Sequence, residues 1–342
     1  MSDIKAILTQ LQTETPFTEN QMVEVMDEIM SGVWDNQQIT AFLMGLSVRG
    51  ETIDEITGAA RVMREKASPI SAPVGAVDCC GTGGDKSGTY NISTAVAIVA
   101  AACGVPIAKH GNRSASSKSG AADVLEALGV NLNVPKEKLE DALKEFKFAF
   151  LMAPNHHTAM RYVVPVRKAL GVRTIFNILG PLANPAKTEY QLLGVFDKGL
   201  LVPIANVLKN LGTKRAWVVH GSDGLDEITT TGETFVAKLE NGVVTEDTLS
   251  PSDFGLGVSN PQDLIGGTAD ENAKALKAVL SGEKNAYRDI VVANTAAVLV
   301  ISGQEVDLKA AAHKAESILD NGKALNLLDA YIEFTNKYAV AA

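Results

Sequence analysis

Apolar positions recur at helical spacing through the first 68 residues. Met22, Val25 and Ile29, then Ile39, Phe42, Leu43 and Leu46, line up on one helix face each. Thr18 to Gln21 and Thr52 to Glu55 each fit a capping box, which marks helix starts. A stripe such as Met22, Met26 and Met30 reads as core or subunit interface. The pattern changes at Pro69 to Pro73, where a proline-bounded stretch separates this helical segment from a strand over Val74 to Cys80. From there helix and strand signals alternate. Helices are predicted over Ala95 to Ala102, Leu125 to Gly129, Pro135 to Phe146 and Leu200 to Leu211. Strands are predicted at Ala149 to Met152, Tyr190 to Val195 and Ala216 to His220. Such alternation predicts a mainly parallel sheet flanked by helices. His157 to Arg173 reads as helical, and the following Asn177 to Pro185, NILGPLANP, reads as a loop because its prolines and glycine interrupt a helix. Glu240-Asn241-Gly242-Val243 signals a β-hairpin, and the chain reads as helical from Asp270 on. The fold class expected is α/β, a small all-helical domain with a larger α/β domain.

Composition narrows the function classes. The chain has 342 residues, 46% hydrophobic and 21% charged, with a formal net charge of -9. An acidic balance opposes wholesale nucleic-acid binding, which draws on a basic surface. The N-terminus lacks the pattern of a signal peptide, and the apolar runs near Ala95 and Ile290 are too short or interrupted to span a bilayer, so a cytoplasmic location is expected. Three cysteines, two of them adjacent at Cys79-Cys80, suit neither a disulfide framework nor a zinc site.

Two polar segments interrupt the α/β pattern. The first, Gly81-Thr82-Gly83-Gly84-Asp85, follows an apolar strand and leads through Asn91-Ile92-Ser93-Thr94 into an apolar helix. Strand, glycine-rich loop and helix start together make a phosphate-binding layout. Asp85 stands where a Walker A loop has glycine, and Lys86 stands at the last glycine of the dinucleotide fingerprint, so neither motif is present. A tight strand-to-helix connection is the alternative. The second segment, Lys109 to Gly120, adds three cations and four serines ahead of another helical pattern. Cations, hydroxyls and a helix start can hold a second anion. Farther on, Asp226-Glu227 sits in a glycine-containing loop after a buried strand. Such carboxylates are hard ligands for Mg²⁺, the alternative being solvated loop acids.

The motifs GTGGD, NIST, KHGNRSASSKSGAADVLEALG and NILGPLANP, in this order, resemble those of the anthranilate phosphoribosyltransferase family of tryptophan biosynthesis. The resemblance is collinear over most of the chain. It implies a helical domain of residues 1–70 with 163–186, an α/β domain of 72–160 with 188–342, a substrate cleft at the hinge, and a homodimer through the N-terminal helices. It implies phosphoribosyl pyrophosphate as one substrate, held by Gly81, Gly84, Asp85, Thr89, Asn91, Ile92, Ser93 and Thr94. Lys109, His110, Gly111, Asn112, Arg113, Ser114, Ala115, Ser116, Ser117 and Ala121 would complete that site. Ser93, Asp226 and Glu227 match metal positions, where two Mg²⁺ ions are expected.

Anthranilate, the other implied substrate, offers a carboxylate and an aryl amine. Arg167 matches the family's anthranilate-binding arginine, and a guanidinium suits a planar bidentate grip. Gly81, Asn112, His110 and His157 are expected near it; hydrogen bonding within a helix or loop is the alternative for each histidine. Arg161 and Arg173 read as solvated or structural. An aryl amine is neutral near pH 7, so no residue is assigned as acid or base. A pyrimidine nucleoside phosphorylase shares the expected architecture, but it has no need of the acidic pair or of Arg167. A nucleic-acid-binding homologue on the same scaffold is opposed by the net charge.

Overall fold

The computed structural model describes residues 3–85, 87–114 and 118–339. Four helices, Ile4–Gln12, Glu19–Met30, Asn36–Arg49 and Ile53–Lys66, form the N-terminal domain. Thr18, Asp35 and Thr52 each close a capping box with the residue three positions on. Glu55, in the last of these boxes, is fully buried and pairs with Arg49 while its carboxylate also accepts the Phe17 amide at 2.8 Å. That arrangement compensates a charge that burial would otherwise make costly.

Seven strands form one sheet: β1 (Val77–Gly81), β2 (Ile107–Gly111), β3 (Phe148–Met152), β4 (Tyr190–Gly194), β5 (Arg215–Gly221), β6 (Thr234–Glu240) and β7 (Val243–Leu249), in the order β3-β2-β1-β4-β5-β6-β7. The first five are parallel, and β6 and β7 add an antiparallel edge. At the β6–β7 turn Asn241 and Gly242 have φ of 51° and 76°, the left-handed pair that a tight hairpin requires. Strand order reverses between β1 and β4. In open α/β sheets the crevice beyond the strand ends at such a switch point is where ligands bind.

One core joins the apolar helices Ile92–Ala102 and Ala286–Ile301 to one side of the sheet. A second joins the N-terminal helices, residues from Val163 to Ala183, the helix Leu201–Asn210 and inward positions of β4 to β6. Among the described residues no helix is long and apolar enough to cross a membrane.

Three stretches differ from the sequence reading. Asn177 to Leu182 is helical, part of the helix Phe176–Leu182 with Pro181 inside it. A proline late in a seven-residue helix removes a single N–H, and the terminal carbonyls find other donors. His110 bonds Gly180 O at 3.2 Å, Gln191 donates to Pro181 O at 2.7 Å and Arg64 to Leu182 O at 2.6 Å. Lys109, His110 and Gly111, read as part of a loop, are the end of β2. Burial of Lys109 is possible there because its ammonium donates to Cys79 O at 2.6 Å and Ser93 Oγ at 3.1 Å. The stretch from His157 to Arg173 is broken into a short 3-10 helix, Thr158–Tyr162, and the helix Val164–Leu170, which ends at left-handed Gly171, so Arg173 lies beyond it.

Candidate active site

The site is built at the switch point from the glycine-rich loop after β1. Gly83 and Gly84 have φ of 65° and 77°, and Arg173 donates to the Gly84 carbonyl while its guanidinium lies 3.9 Å from the Phe196 ring centroid. Arg173, read as solvated or structural, therefore ties the segment after the helix Val164–Leu170 to this loop. Thr82 fixes the loop to the end of β4, its amide donating to Gly194 O at 2.9 Å and its hydroxyl accepting the Phe196 amide at 3.0 Å.

Gly81 and Gly194 are register partners on β1 and β4. A Cβ at either position would overlap Asp226: its carboxylate at Gly81, its backbone at Gly194. The two glycines open the sheet end so that the loop after β5 can lie directly across it. That loop is held from below by Asn294, a fully buried amide in the apolar helix Ala286–Ile301. Asn294 accepts the Ile228 amide at 3.0 Å and donates to Ile228 O at 2.8 Å.

Asp226 and Glu227 are thereby turned onto the two anion-binding elements. Asp226 accepts the Gly83 amide at 2.7 Å, and Glu227 accepts the Ser93 amide at the start of the helix Ile92–Ala102 at 3.2 Å. Burial, then the charge of Asp85, pushes the Asp226 carboxyl above its ordinary range. Burial, then Asp226, pushes Glu227 up to about 8 against the pull of Lys109. Among the described residues no group of three or more His, Cys, Asp or Glu side chains is arranged to hold a metal. Two half-buried, mutually repelling carboxylates, with Glu227 on the Ser93 amide and Lys109 the positive group acting on it, are nevertheless hard oxygen donors that fit an Mg²⁺-sized cation with its own waters.

Asn91 caps the helix Ile92–Ala102 by backbone geometry alone. Its side chain instead donates to Ser119 O and accepts from Ser119 Oγ, both at 3.2 Å, so the first polar segment is tied to the second. Asp85 accepts the Ser87 amide at 3.3 Å, and Thr89 forms a bridge with Ile265. The Thr94 hydroxyl is buried without a partner among the described residues. In the second segment Asp123 accepts the amides of Ser114 at 2.9 Å and Gly120 at 2.8 Å, which shapes the loop ahead of Ala121. Arg113 pairs with Glu126 and Asp123. Asn112 accepts the Arg113 amide, and Gly111 packs on Phe150 and Ala121. Ala115, Ser116 and Ser117 lie outside the described residues.

A separate group gathers around His110. Its ring lies 5.1 Å from that of His157, both are buried, and the Nε2 atom of each has no partner among the described residues. Burial first, then the neighbouring histidines, lowers His110 to about 3; burial, then His156, lowers His157 to about 4. Both are neutral acceptors near pH 7. Arg167 is half-buried with its guanidinium 5.7 Å from the Phe176 ring centroid, and no carboxylate among the described residues pairs with it. Burial lowers it somewhat from its ordinary value.

Residues 5–67 match the family model described as the helical bundle domain of a glycosyl transferase family, and residues 74–325 match that family's a/b domain. Anthranilate phosphoribosyltransferase of Azospirillum brasilense is 54% identical over 98% of this chain and 94% of its own length; that of Rhodospirillum rubrum is 54% identical over 96% and 94%. The chain belongs to the anthranilate phosphoribosyltransferase family. The crystal structure of the Thermus thermophilus enzyme is similar to it with a TM-score of 0.91 at 41% identity, covering 96% of this chain and 99% of that one. The Saccharomyces cerevisiae enzyme in complex with PRPP and Mg has a TM-score of 0.90 at 29% identity, over 98% and 99%. The same yeast enzyme has been solved with 4-fluoroanthranilate, at a TM-score of 0.87 and 27% identity, over 98% of this chain and 99% of that one. The family's two-domain architecture is that of this chain: a small helical domain and a larger α/β domain with a mostly parallel seven-stranded sheet.

Asn294 escaped the sequence reading, which treated the C-terminal helices as structural. The available signal was an amide inside an apolar run, VVANTAAVLV in the case of Asn294.

Proposed function

We propose that this chain transfers the 5-phosphoribosyl group of phosphoribosyl pyrophosphate to the amine of anthranilate, giving N-(5-phosphoribosyl)anthranilate and pyrophosphate in L-tryptophan biosynthesis. The observation that carries the reading is the carboxylate pair lying on the amides of Gly83 and Ser93. These are anion-binding donors at a switch point, and carboxyl oxygens of the chain itself occupy them. Ser93, Asp226 and Glu227 would hold Mg²⁺, two ions in the expected arrangement, and bound Mg²⁺ would neutralise charge building on the departing pyrophosphate. Engaged by cations, the carboxylates leave both amides to donate to phosphate oxygens. Lys109, buried and acting electrostatically on Glu227, adds positive charge, and Gly81, Gly84, Asp85, Thr89, Asn91 to Thr94, Lys109 to Ser114 and Ala121 would hold the donor.

The C–N bond forms between the amine nitrogen and the anomeric carbon as the C–O bond to pyrophosphate breaks, and the amine gives up one proton. The amine attacks in its neutral form. Its carboxylate would pair with Arg167, which has no acidic partner among the described residues. The neutral imidazoles of His110 and His157, with Asn112 and Gly81, would line the aryl side. Catalysis then rests on stabilising the leaving group and positioning the two substrates.

The domain division supporting this is residues 1–70 with 163–186 against 72–160 with 188–342. Residues from Val163 to Ala183 share a core with the N-terminal helices, which supports it, although that core runs on into the helix Leu201–Asn210 and β4 to β6. A homodimer through the N-terminal helices and a cytoplasmic location complete the proposal. Loss of anthranilate fluorescence that needs both phosphoribosyl pyrophosphate and Mg²⁺, and stops with EDTA, is the expected result. Phosphorolysis of uridine or thymidine in its place would move the chain to the phosphorylase branch.

A further inference from the structure

The loop leading to Asn91 is braced by a segment far away in sequence. Tyr90 donates its amide to Leu264 O at 3.1 Å, Gly266 to Gly88 O at 2.9 Å, and Thr89 bridges Ile265. Tyr90 stacks on fully buried Tyr287, whose hydroxyl donates to Asn91 O at 3.1 Å. At the end of this brace lies Asn272, a buried side chain near the start of the helix Ala269–Leu280. It accepts the Gly267 amide at 2.7 Å and donates to Asn91 Oδ1 at 2.9 Å.

These contacts decide which way the Asn91 amide faces. Its oxygen takes two donors, Asn272 Nδ2 and Ser119 Oγ, and its nitrogen gives one hydrogen to Ser119 O. The second N–H of Asn91 has no acceptor among the described residues. Resting on the functional reading above, we propose that Asn272 is a positioning residue for the phosphoribosyl donor. It acts through Asn91, holding that amide with its free N–H available to a donor oxygen and keeping the two anion-binding segments in register. Asn272 cannot be exchanged for an acid without consequence. An aspartate still accepts the Gly267 amide, but it sets an oxygen against Asn91 Oδ1 and drives the Asn91 amide to turn over, which would then oppose the Ser119 carbonyl.

The test measures phosphoribosyl pyrophosphate binding by calorimetry with Mg²⁺, and steady-state kinetics, for wild type, Asn272→Asp, Asn272→Ala, Asn91→Ala and the double variant Asn91→Ala with Asn272→Asp. Loss of one buried hydrogen bond predicts a donor Kd and KM raised about five- to tenfold in Asn272→Asp, with the anthranilate KM within about twofold of wild type. In the Asn91→Ala background the same aspartate is expected to add no further loss. Asn272→Ala serves if the aspartate variant does not fold. Wild-type donor affinity in a folded Asn272 variant, or an equal loss with and without Asn91, overturns the inference. Failure of the wild-type protein to bind the donor at all overturns the functional reading instead.

Discussion

Cation binding at Asp226 and Glu227 is predicted to follow pH steeply. Glu227 ordinarily ionises near 4.5 and is pushed up to about 8 in the folded chain, so the native state holds a proton that the unfolded chain releases. The stability this contributes is fully present below about 4.5 and is lost as pH rises towards 8. A divalent cation reverses the trend, because it binds the ionised form and removes the repulsion with Asp226. With one proton to displace, affinity is expected to fall about tenfold per unit below pH 8: about tenfold at pH 7 and about a hundredfold at pH 6 relative to the plateau. Asp226, also raised, steepens the slope further at the acid end. Mn²⁺ titrations read by the EPR signal of the free ion give this curve directly. The melting temperature without metal should fall between about pH 5 and 8, with the fall suppressed by saturating Mn²⁺. Glu227→Gln should flatten both curves. A Mn²⁺ affinity that does not change between about pH 6 and 8 in the wild type would refute the view that the half-buried Glu227 carboxyl holds a proton a cation must displace.

Three other perturbations probe different parts of the site. Arg167→Ala should raise the anthranilate KM by about ten- to a hundredfold, the range for a lost charge-assisted hydrogen bond, with the donor KM nearly unchanged in steady-state kinetics. Gly194→Ala places a methyl group against the Asp226 backbone and should cost about 1–3 kcal/mol in urea denaturation together with Mn²⁺ affinity. Asn294→Ala strips partners from both backbone groups of buried Ile228 and should cost about 2–4 kcal/mol by the same measurement, with weaker Mn²⁺ binding in the folded fraction.

Much of this architecture was legible because each element carried its own signal. Capping boxes and apolar rows marked the N-terminal helices, the Asn-Gly turn marked the β6–β7 hairpin, and the glycine-rich loop marked the end of β1. What was not legible depended on distant partners. The helix at Phe176–Leu182 holds a proline because His110, Gln191 and Arg64 supply donors to its last carbonyls. Likewise β2 hides a lysine whose partners come from β1 and from Ser93. The acidic pair was visible as two carboxylates in a loop, but its contacts with Gly83 and Ser93 exist only because Gly81, Gly194 and Asn294 bring that loop across the sheet. Asn272 was invisible for the same reason: its partner lies 181 residues away.

The central claim is transfer of a phosphoribosyl group between the two proposed substrates. It is tested most directly by incubating the protein with both substrates and Mg²⁺, counting pyrophosphate released per anthranilate consumed, and weighing the product by mass spectrometry. One pyrophosphate per anthranilate, with a product carrying the phosphoribosyl group on nitrogen and none formed in EDTA, is the predicted result. Pyrophosphate release without anthranilate consumption, or no release from a protein shown to be folded, would contradict it.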